Sequence, residues 1–326
     1  FPTRRSSDLM KDMKQLLWIT GLTATATVAL IGTLFLLASC SQEDGGNTPG
    51  SEDAVPLTVT TVTVAASGAT PDTRAVPVPV TEGKLGVGVR AGNGYTAQTG
   101  LVYTYADGAW TSSSPLVLSK DAASLYAYYP QDGHTPDAGG NVTLTTQAYT
   151  AIKDLGYALN GGGNVCSTHP YAGFVLRHAY ARVGVNILFS KYFGDAAKLD
   201  TVAISAGGIY SEGTQNIQTG TFTPGPGMAP KMELTPGETM ADMAREYKGY
   251  ILVVPSASLT SAKLSITVSG QKWAADLSSA LTALEVGKSY RIKAQIDLVG
   301  VDLVIKTVEV EEWKTGTSHN GETQFE

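Results

Sequence analysis

Cys40 follows a segment of the kind that directs export and covalent processing. Lys11 and Lys14 supply positive charge, residues 16–37 form an uncharged and largely apolar stretch, and small residues precede Cys40. Positive charge, an apolar core and small residues at the cut, in this order, are typical of a secretory signal. The sequence therefore predicts that residues 1–39 are a signal peptide and that the exported chain begins at Cys40.

The segment Leu37-Ala38-Ser39-Cys40 is more specific than a general cleavage site. It resembles the lipobox of bacterial lipoproteins. The resemblance implies that the Cys40 sulfur receives a diacylglycerol, that the bond before Cys40 is cut, and that the new amino group is acylated with a fatty acid such as palmitate. Several acyl chains anchor a protein stably where one is marginal. Membrane lipid is thus the first predicted partner.

The alternative to a cleaved signal is a permanent membrane helix, for which residues 16–37 are long enough. Their many Thr, Ala and Gly residues make the stretch only moderately hydrophobic, and no basic residue follows Cys40 directly. Residues 40–54 instead indicate a lipidated polar tether. Residues 1–9 precede Met10 and Met13, the first plausible start residues, and are expected to be foreign to the protein.

Composition excludes several functional classes. A formal net charge of −6 disfavours a nucleic-acid partner. With Cys40 lipidated, Cys166 is the other cysteine, so neither an internal disulfide nor a cysteine-based zinc site can form. Charged residues make up only 16% of the chain and glycines number 36, which favours strands and turns over long amphipathic helices.

Alternation of apolar and polar residues predicts an all-β protein. Residues 57–64 alternate with one slip at Thr61 that suggests a bulge, and residues 290–298 alternate without interruption. A short helix is possible at 238–247. The run Gly161-Gly162-Gly163-Asn164 marks the best domain boundary. We therefore expect a β-sandwich domain at 55–160, a second at 165–313 and a polar tail at 314–326.

Residue types that perform catalysis do not form a recognisable constellation. The histidines His134, His169, His178 and His319 are scattered, and no Gly-x-Ser-x-Gly nucleophile elbow occurs. Gly86-x-Gly88-x-x-Ala91 imitates a dinucleotide-binding motif but lacks a following helix. Paired carboxylates of a sugar-cleaving enzyme remain an open alternative. The prediction is a protein without catalytic residues, cofactor or metal.

A series of short segments, together with the lipobox, resembles the fimbrillin family, the pilins and surface adhesins of type V pili in Bacteroidota. In chain order the segments are Thr73-Arg74-Ala75, Ala127-Tyr128-Tyr129-Pro130, Asp154-Leu155-Gly156-Tyr157-Ala158, residues 174–183, Leu252-Val253-Val254-Pro255, Gly287-Lys288-Ser289-Tyr290-Arg291-Ile292 and Val308-Glu309-Val310-Glu311-Glu312-Trp313. The resemblance implies two transthyretin-like, Greek-key β-sandwich domains in tandem. It also implies a place in fimbriae on the outer membrane, with other pilus subunits as partners.

The resemblance implies assembly by strand exchange, in which an arginine-specific protease frees the first strand and a neighbouring subunit's strand replaces it. Carried onto this chain, the cut lies between Arg74 and Ala75. The exchanged strand would carry the apolar residues Leu57, Val59, Val62 and Val64. A strand offers a row of backbone hydrogen bonds and alternate side chains for pockets, so such an exchange is physically reasonable.

Residues 314–326 are polar and mostly lack alternation, which makes them a poor donor strand. A tip subunit, an accessory subunit or a standalone adhesin therefore fits better than a stalk subunit, with host or bacterial surface ligands as further partners. The alternative is a surface glycan-binding lipoprotein, which would expose coplanar aromatic rings around Tyr103, Tyr105 and Trp110.

Structural roles are expected for the remaining conspicuous residues. Tyr126, Tyr128 and Tyr129 are expected to pack in or at the rim of a core. His178 is expected to be a hydrogen-bonded packing residue, and Trp313 to close the last strand against the second core.

Overall fold

The computed structural model describes residues 54–65, 77–296 and 302–313, and their secondary structure is almost entirely β, which confirms the predicted class. The strands are β1 (Val55–Pro56), β2 (Thr58–Val64), β3 (Val78–Pro79), β4 (Lys84–Val89), β5 (Gln98–Ala106), β6 (Ala109–Thr111), β7 (Val117–Leu118), β8 (Leu125–Tyr129), β9 (Asn141–Thr145), β10 (Gln147–Ala148), β11 (Gly156–Ala158), β12 (Tyr171–His178), β13 (Ala181–Leu188), β14 (Leu199–Gly207), β15 (Glu212–Asn216), β16 (Phe222–Pro224), β17 (Met232–Leu234), β18 (Glu246–Val253), β19 (Thr260–Val268), β20 (Gln271–Asp276), β21 (Lys288–Ile296) and β22 (Leu303–Glu312). Single-turn 3-10 helices occur at Gln131–Gly133 and Ala151–Lys153.

The helix predicted at 238–247 is wrong, because residues 240–245 form turns and β18 begins at Glu246. The Asp242 backbone amide donates a hydrogen bond to Thr239 Oγ1 at 3.2 Å, as at the start of a helix. Ala244 and Arg245 then adopt φ values of 48° and 64°. A left-handed backbone cannot continue a right-handed helix, so the segment stops after a turn.

The strands form sheets of eight, five, four, three and two strands. The eight-stranded sheet has the order β3-β2-β12-β11-β8-β4-β5-β6, and the five-stranded sheet has the order β10-β18-β13-β21-β22. The four-stranded order is β17-β14-β19-β20, the three-stranded order is β16-β15-β9, and β1 pairs with β7. β12 follows the predicted domain boundary at residues 161–164, yet it belongs to the eight-stranded sheet, whose other strands precede that boundary. β9, before the boundary, pairs with β15, after it. The division into two domains stays a prediction.

Buried apolar residues form three clusters. The N-terminal core lies on the eight-stranded sheet and includes Leu57, Val59, Val62, Val64, Leu85, Val87, Tyr103, Trp110, Leu116, Ala172, Phe174 and Leu176. The C-terminal core lies between the five-stranded and four-stranded sheets and includes Val183, Ile187, Ile204, Ile251, Leu264, Ile266, Tyr290, Ile292 and Ile296. The aromatic cluster includes Tyr126, Tyr128, Tyr157, Tyr180, Leu252, Val254 and Trp313.

Gly86 and Gly88, which imitate part of a dinucleotide motif, have a packing role. They lie on β4 directly opposite Tyr128 and Tyr126 of β8. A Cβ at either glycine would stand 2.2 Å from the opposing ring. The glycines therefore make room for tyrosine rings that lie across the strand, and Tyr126, Tyr128 and Tyr129 are buried as predicted.

Trp313 packs in the aromatic cluster, so the prediction that it closes the C-terminal core is wrong. Its ring stacks on His178 with centroids 3.9 Å apart and planes 2° from parallel. The guanidinium carbon of Arg182 lies 4.7 Å from the Trp313 ring centroid. His178 Nδ1 is hydrogen-bonded to Asp154 Oδ1 at 3.0 Å, which confirms its predicted role as a hydrogen-bonded packing residue. The end of β22 is therefore held by ring stacking and a cation.

The His134 side chain makes the fold sensitive to acid. Burial lowers its pKa from 6.5 to about 4, opposed by the nearby Asp154 carboxylate. The neutral ring is thus favoured in the folded state, and its contribution is complete above pH 6.5 and lost as the pH falls toward 4. We expect His134→Gln to reduce this loss of unfolding free energy, which amounts to at most about 3 kcal/mol.

The measurement is urea unfolding at a series of pH values between 7 and about 4. Substitution of the exposed His169 by Gln is the matched control for the loss of a histidine. Equal pH dependence in the wild type and His134→Gln would contradict the assignment.

Candidate functional site

The first long strand, β2, lies inside the eight-stranded sheet between β12 and β3. It pairs with β12 in parallel from Thr58 opposite Tyr171 to Val64 opposite Leu176. Its pairing with β3 is antiparallel and limited to Thr63 opposite Pro79 and Val64 opposite Val78. The backbone of β2 is thus held along its length on one side and near its end on the other.

Leu57 and the inward face of β2 together provide four apolar side chains that complete the N-terminal core. Leu57, Val59, Val62 and Val64 are 3%, 3%, 2% and 6% exposed. All four belong to the same cluster as Phe174 and Leu176 of β12. The residues predicted as the exchanged strand are therefore brought together on one face.

A bulge at Thr60 and Thr61 gives the four side chains their common direction. Val59 lies opposite Ala172, whereas Thr61 lies opposite the next residue, Gly173. One extra residue in a strand reverses the alternation beyond it. The slip predicted at Thr61 is confirmed, and without it Val62 and Val64 would point outward.

Gly173 and Thr60 accommodate this bulge. A Cβ on Gly173 would stand 2.7 Å from Thr61 Oγ1. Thr60 Oγ1 donates a hydrogen bond to the Ala172 carbonyl at 3.0 Å. Sequence reasoning missed Gly173 and the buried face of β12 that packs beside β2. The alternation of residues 171–178 is the signal that could have identified a strand with one buried side.

The start of the strand is fixed by Tyr103. Its hydroxyl donates to the Leu57 carbonyl at 3.3 Å and accepts from the Leu116 amide at 3.2 Å. Leu57 N also donates to the Leu116 carbonyl at 2.8 Å. Burial raises the pKa of Tyr103, so the phenol stays protonated. Tyr103 is a buried link between strands and is not available to a sugar.

Tyr105 and Trp110 also fail to provide a flat aromatic platform. Trp110 is buried and Tyr105 is half-buried. Their rings meet edge to face, 5.3 Å apart at 66°. The coplanar exposed surface that a glycan-binding interpretation requires is absent at these residues.

Backbone hydrogen bonds also fix the other end of β2. Ala65 N donates a hydrogen bond to the Leu176 carbonyl at 2.7 Å, and Val80 N donates one to the Val62 carbonyl at 2.8 Å. Arg74 and Ala75 belong to the sequence that links the two strands and lie outside the described residues. Cys40 and the preceding Leu37, Ala38 and Ser39 also lie outside them.

Other kinds of site find little support. Residues 54–65, 77–296 and 302–313 contain no cluster of His, Cys, Asp and Glu side chains suited to hold a metal ion. In the same ranges no helix has the length and apolar character to cross a membrane. A cavity of about 190 Å³ lies between β10 and β17. Its Thr146 hydroxyl is already bonded to the Tyr210 carbonyl and the Val254 amide.

Comparison with known proteins gives one family and a set of similar folds. A sequence model of the family described as fimbrillin-like matches residues 73–313. A search of curated proteins gives no significant match. A candidate cell adhesion protein from Bacteroides uniformis is similar with a TM-score of 0.58 and 22% identity, over 80% of this chain and 100% of that one. A second, from Bacteroides ovatus, has a TM-score of 0.58 and 16% identity, over 81% and 99% of the two chains.

The burial of β2 predicts different effects for neighbouring substitutions. We expect Val62→Ala to lower the free energy of unfolding by about 2 kcal/mol, because it removes buried methyl groups and leaves a cavity. Thr61→Ala, on the exposed side of the same strand, should change it by less than about 0.5 kcal/mol. Urea titration measures both, and equal effects would show that the strand face is not buried in solution.

Proposed function

Because the chain belongs to the fimbrillin-like family, we propose that it is a cell-surface structural and adhesive subunit of fimbriae. The family assignment rests on a match across residues 73–313, which is most of the chain. Fimbriae are built from subunits that bind one another, so other pilus subunits are the partners this function requires.

We propose that the subunits assemble by exchange of β2 for a strand of a neighbouring subunit. The observation that carries this proposal is the position of β2, whose side chains complete the N-terminal core. The covalent connection from β2 to the following strand, β3, runs through the linker that contains Arg74. A cut after Arg74 would end the covalent connection between β2 and β3. The strand would then be held only by hydrogen bonds and side-chain burial.

β2 occupies a groove beside β12 whose apolar face is formed by Ala172, Phe174 and Leu176. The free energy of side-chain burial favours a groove filled by another strand over an empty groove. A buried Val or Leu side chain stabilises by about 1.5–3 kcal/mol, so the four inward side chains contribute roughly 6–12 kcal/mol before ordering costs. An empty groove would expose their apolar partners and the unpaired backbone of β12 to water. A strand from a neighbouring subunit can restore both interactions.

Residues 314–326 bear on the position in a pilus. They are polar, and Phe325 is their large apolar residue, so they offer poor side chains for a neighbour's groove. A tip, accessory or standalone adhesin role is therefore proposed over a stalk role in which residues 314–326 would be the donor strand. Adhesion to a host or bacterial surface is the function such a subunit would add.

We further propose that acylated Cys40 holds the uncut protein to the outer membrane. The support is the lipobox-like segment and the polar tether that follows it. The anchor would be temporary in a cut molecule, because Cys40 and β2 both precede Arg74 in the chain. In an uncut molecule it would be permanent.

The cleavage proposal predicts a specific response to an arginine-specific protease. The bond after Arg74 should be cut, and residues 75–326 should stay intact while β2 remains in the sheet. Arg74→Lys should remain uncut, because the positive charge is kept but the protease no longer recognises the residue. Mass spectrometry of the products identifies the cut, and a folded wild type that resists cleavage at Arg74 would refute the proposal.

Strand exchange is measured in the same samples with a labelled synthetic peptide of residues 55–65. The peptide should enter the cut protein and be excluded from Arg74→Lys, as read by comigration in native gels. A peptide carrying Val62→Asp is the control, and it should not bind because a buried charge is costly.

The anchoring proposal predicts that Cys40→Ser removes lipid from the protein. In cells that express the full chain, the wild type should carry fatty acid and fractionate with the outer membrane. The variant should carry none and leave the membrane fraction, because its serine offers no sulfur for the thioether. Mass spectrometry of the mature amino terminus and fractionation check this, and an unlipidated wild type would exclude it.

A further inference from the structure

The described residues contain five arginines, and the fold restrains four of them through their side chains. The five are Arg90, Arg177, Arg182, Arg245 and Arg291. An arginine-specific protease must reach the guanidinium group and draw the adjoining backbone into its own site, which requires local opening of a folded chain. The contacts of each arginine therefore decide whether it can be cut.

Arg90 is half-buried and Arg182 is buried, and contacts with other parts of the chain hold both side chains. Arg90 Nε donates to the Gln218 carbonyl at 2.9 Å, and its Nη2 donates to the Leu159 carbonyl at 2.6 Å. Arg182 is 3% exposed and lies between the rings of Trp313 and Tyr250, 4.7 Å and 5.2 Å from their centroids.

Arg245 and Arg291 are held closer to the surface. Arg245 Nη1 donates to the Phe193 carbonyl at 2.7 Å, its Nη2 contacts Asp195, and its backbone has a φ of 64° that an extended protease substrate cannot have. Arg291 lies on β21, between β13 and β22, and its Nη2 is 2.7 Å from Glu311 Oε1.

Arg177 differs because its side chain is exposed and its backbone alone is restrained. It lies on β12 opposite Tyr157 of β11. On the other side of β12, residues 171–176 pair with β2, and Ala65 donates to the Leu176 carbonyl next to Arg177. Without β2 this strand would be an edge strand, paired on one side only.

Loss of β2 would also uncover the groove face of β12. Ala172, Phe174 and Leu176 share the N-terminal core with the apolar side chains of β2. Removal of that cover lowers the free energy of local opening around Arg177. Proteolysis of a transiently opened segment follows the population of the open form, so the rate at this bond should rise.

We propose that the Arg177–His178 bond is a second, conditional cleavage site, closed while a strand occupies the β2 position and open when the groove is empty. An arginine-specific protease would add water across this amide, leaving a carboxylate on Arg177 and an amino group on His178. The inference rests on the proposed function for the event that empties the groove. A subunit that loses β2 and receives no replacement is then destroyed, whereas a filled subunit is spared.

The experiment uses the full chain with Arg74→Lys, so that the activating cut does not occur. In this background Val62→Asp weakens the seating of β2, and Val62→Ala does so more mildly. Thr61→Asp places the same charge on the exposed side of the strand and is the matched control. Ile266→Ala, a buried change in the C-terminal core, controls for general loss of stability. Cleavage is followed by mass spectrometry with an arginine-specific protease.

We expect cleavage at Arg177 to be at least about tenfold faster in Val62→Asp than in Thr61→Asp, with Val62→Ala between them. Arg177 should be cut before Arg90, Arg182, Arg245 and Arg291. The synthetic peptide of residues 55–65 should restore resistance, and Arg177→Lys should abolish the cut. Equal rates in Val62→Asp and Thr61→Asp, or an equal acceleration by Ile266→Ala, would overturn the inference.

The two proposals fail separately. Resistance of Arg74 to the protease in the wild type refutes the activating cut and leaves the result in the Arg74→Lys background unaffected. Cleavage at Arg74 with an Arg177 bond that stays closed in Val62→Asp refutes the conditional site alone.

Discussion

The parallel pairing of β2 with β12 places four apolar side chains of the first strand on the N-terminal core. This contact joins residues more than a hundred positions apart in the chain. The eight-stranded sheet is therefore complete only when β2 and β12 are both present. The side chains that β2 buries contribute several kcal/mol, comparable with the whole net stability of an ordinary domain. A single strand that carries so much of the stability is also a strand whose loss must be compensated.

β12 connects this contact to the aromatic cluster. One side of β12 pairs with β2, and its last residue, His178, stacks on Trp313 at the end of β22. Arg182, just after the turn from β12 into β13, lies against the same Trp313 ring and against the ring of Tyr250. Both β2 and the end of β22 are therefore held to the short segment 171–182. Disturbance of that segment is expected to affect both ends of the chain.

The features that sequence reasoning captured are those that depend on local pattern. Alternation identified β2 and β21, and a single change of parity located the bulge beside Thr61. The partner of β2 could not be read from pattern, because parallel pairing with β12 depends on the path of the intervening chain. Trp313 was assigned to the wrong cluster for the same reason. The helix expected at 238–247 failed because two residues with positive φ override the local preference of an otherwise acceptable sequence.

The bulge constrains any strand that could replace β2. The inward residues Leu57, Val59, Val62 and Val64 have spacings of two, three and two, whereas a regular strand would need two throughout. A replacement that fills all four positions must therefore either carry the same extra residue or force Thr60 and Thr61 out of register with Gly173. Its residue opposite Gly173 must also be compatible with the close approach at that glycine. Spacing thus adds a selection among donor strands that apolar character alone would not give, and residues 314–326 of this chain, with Phe325 as their large apolar residue, do not meet it.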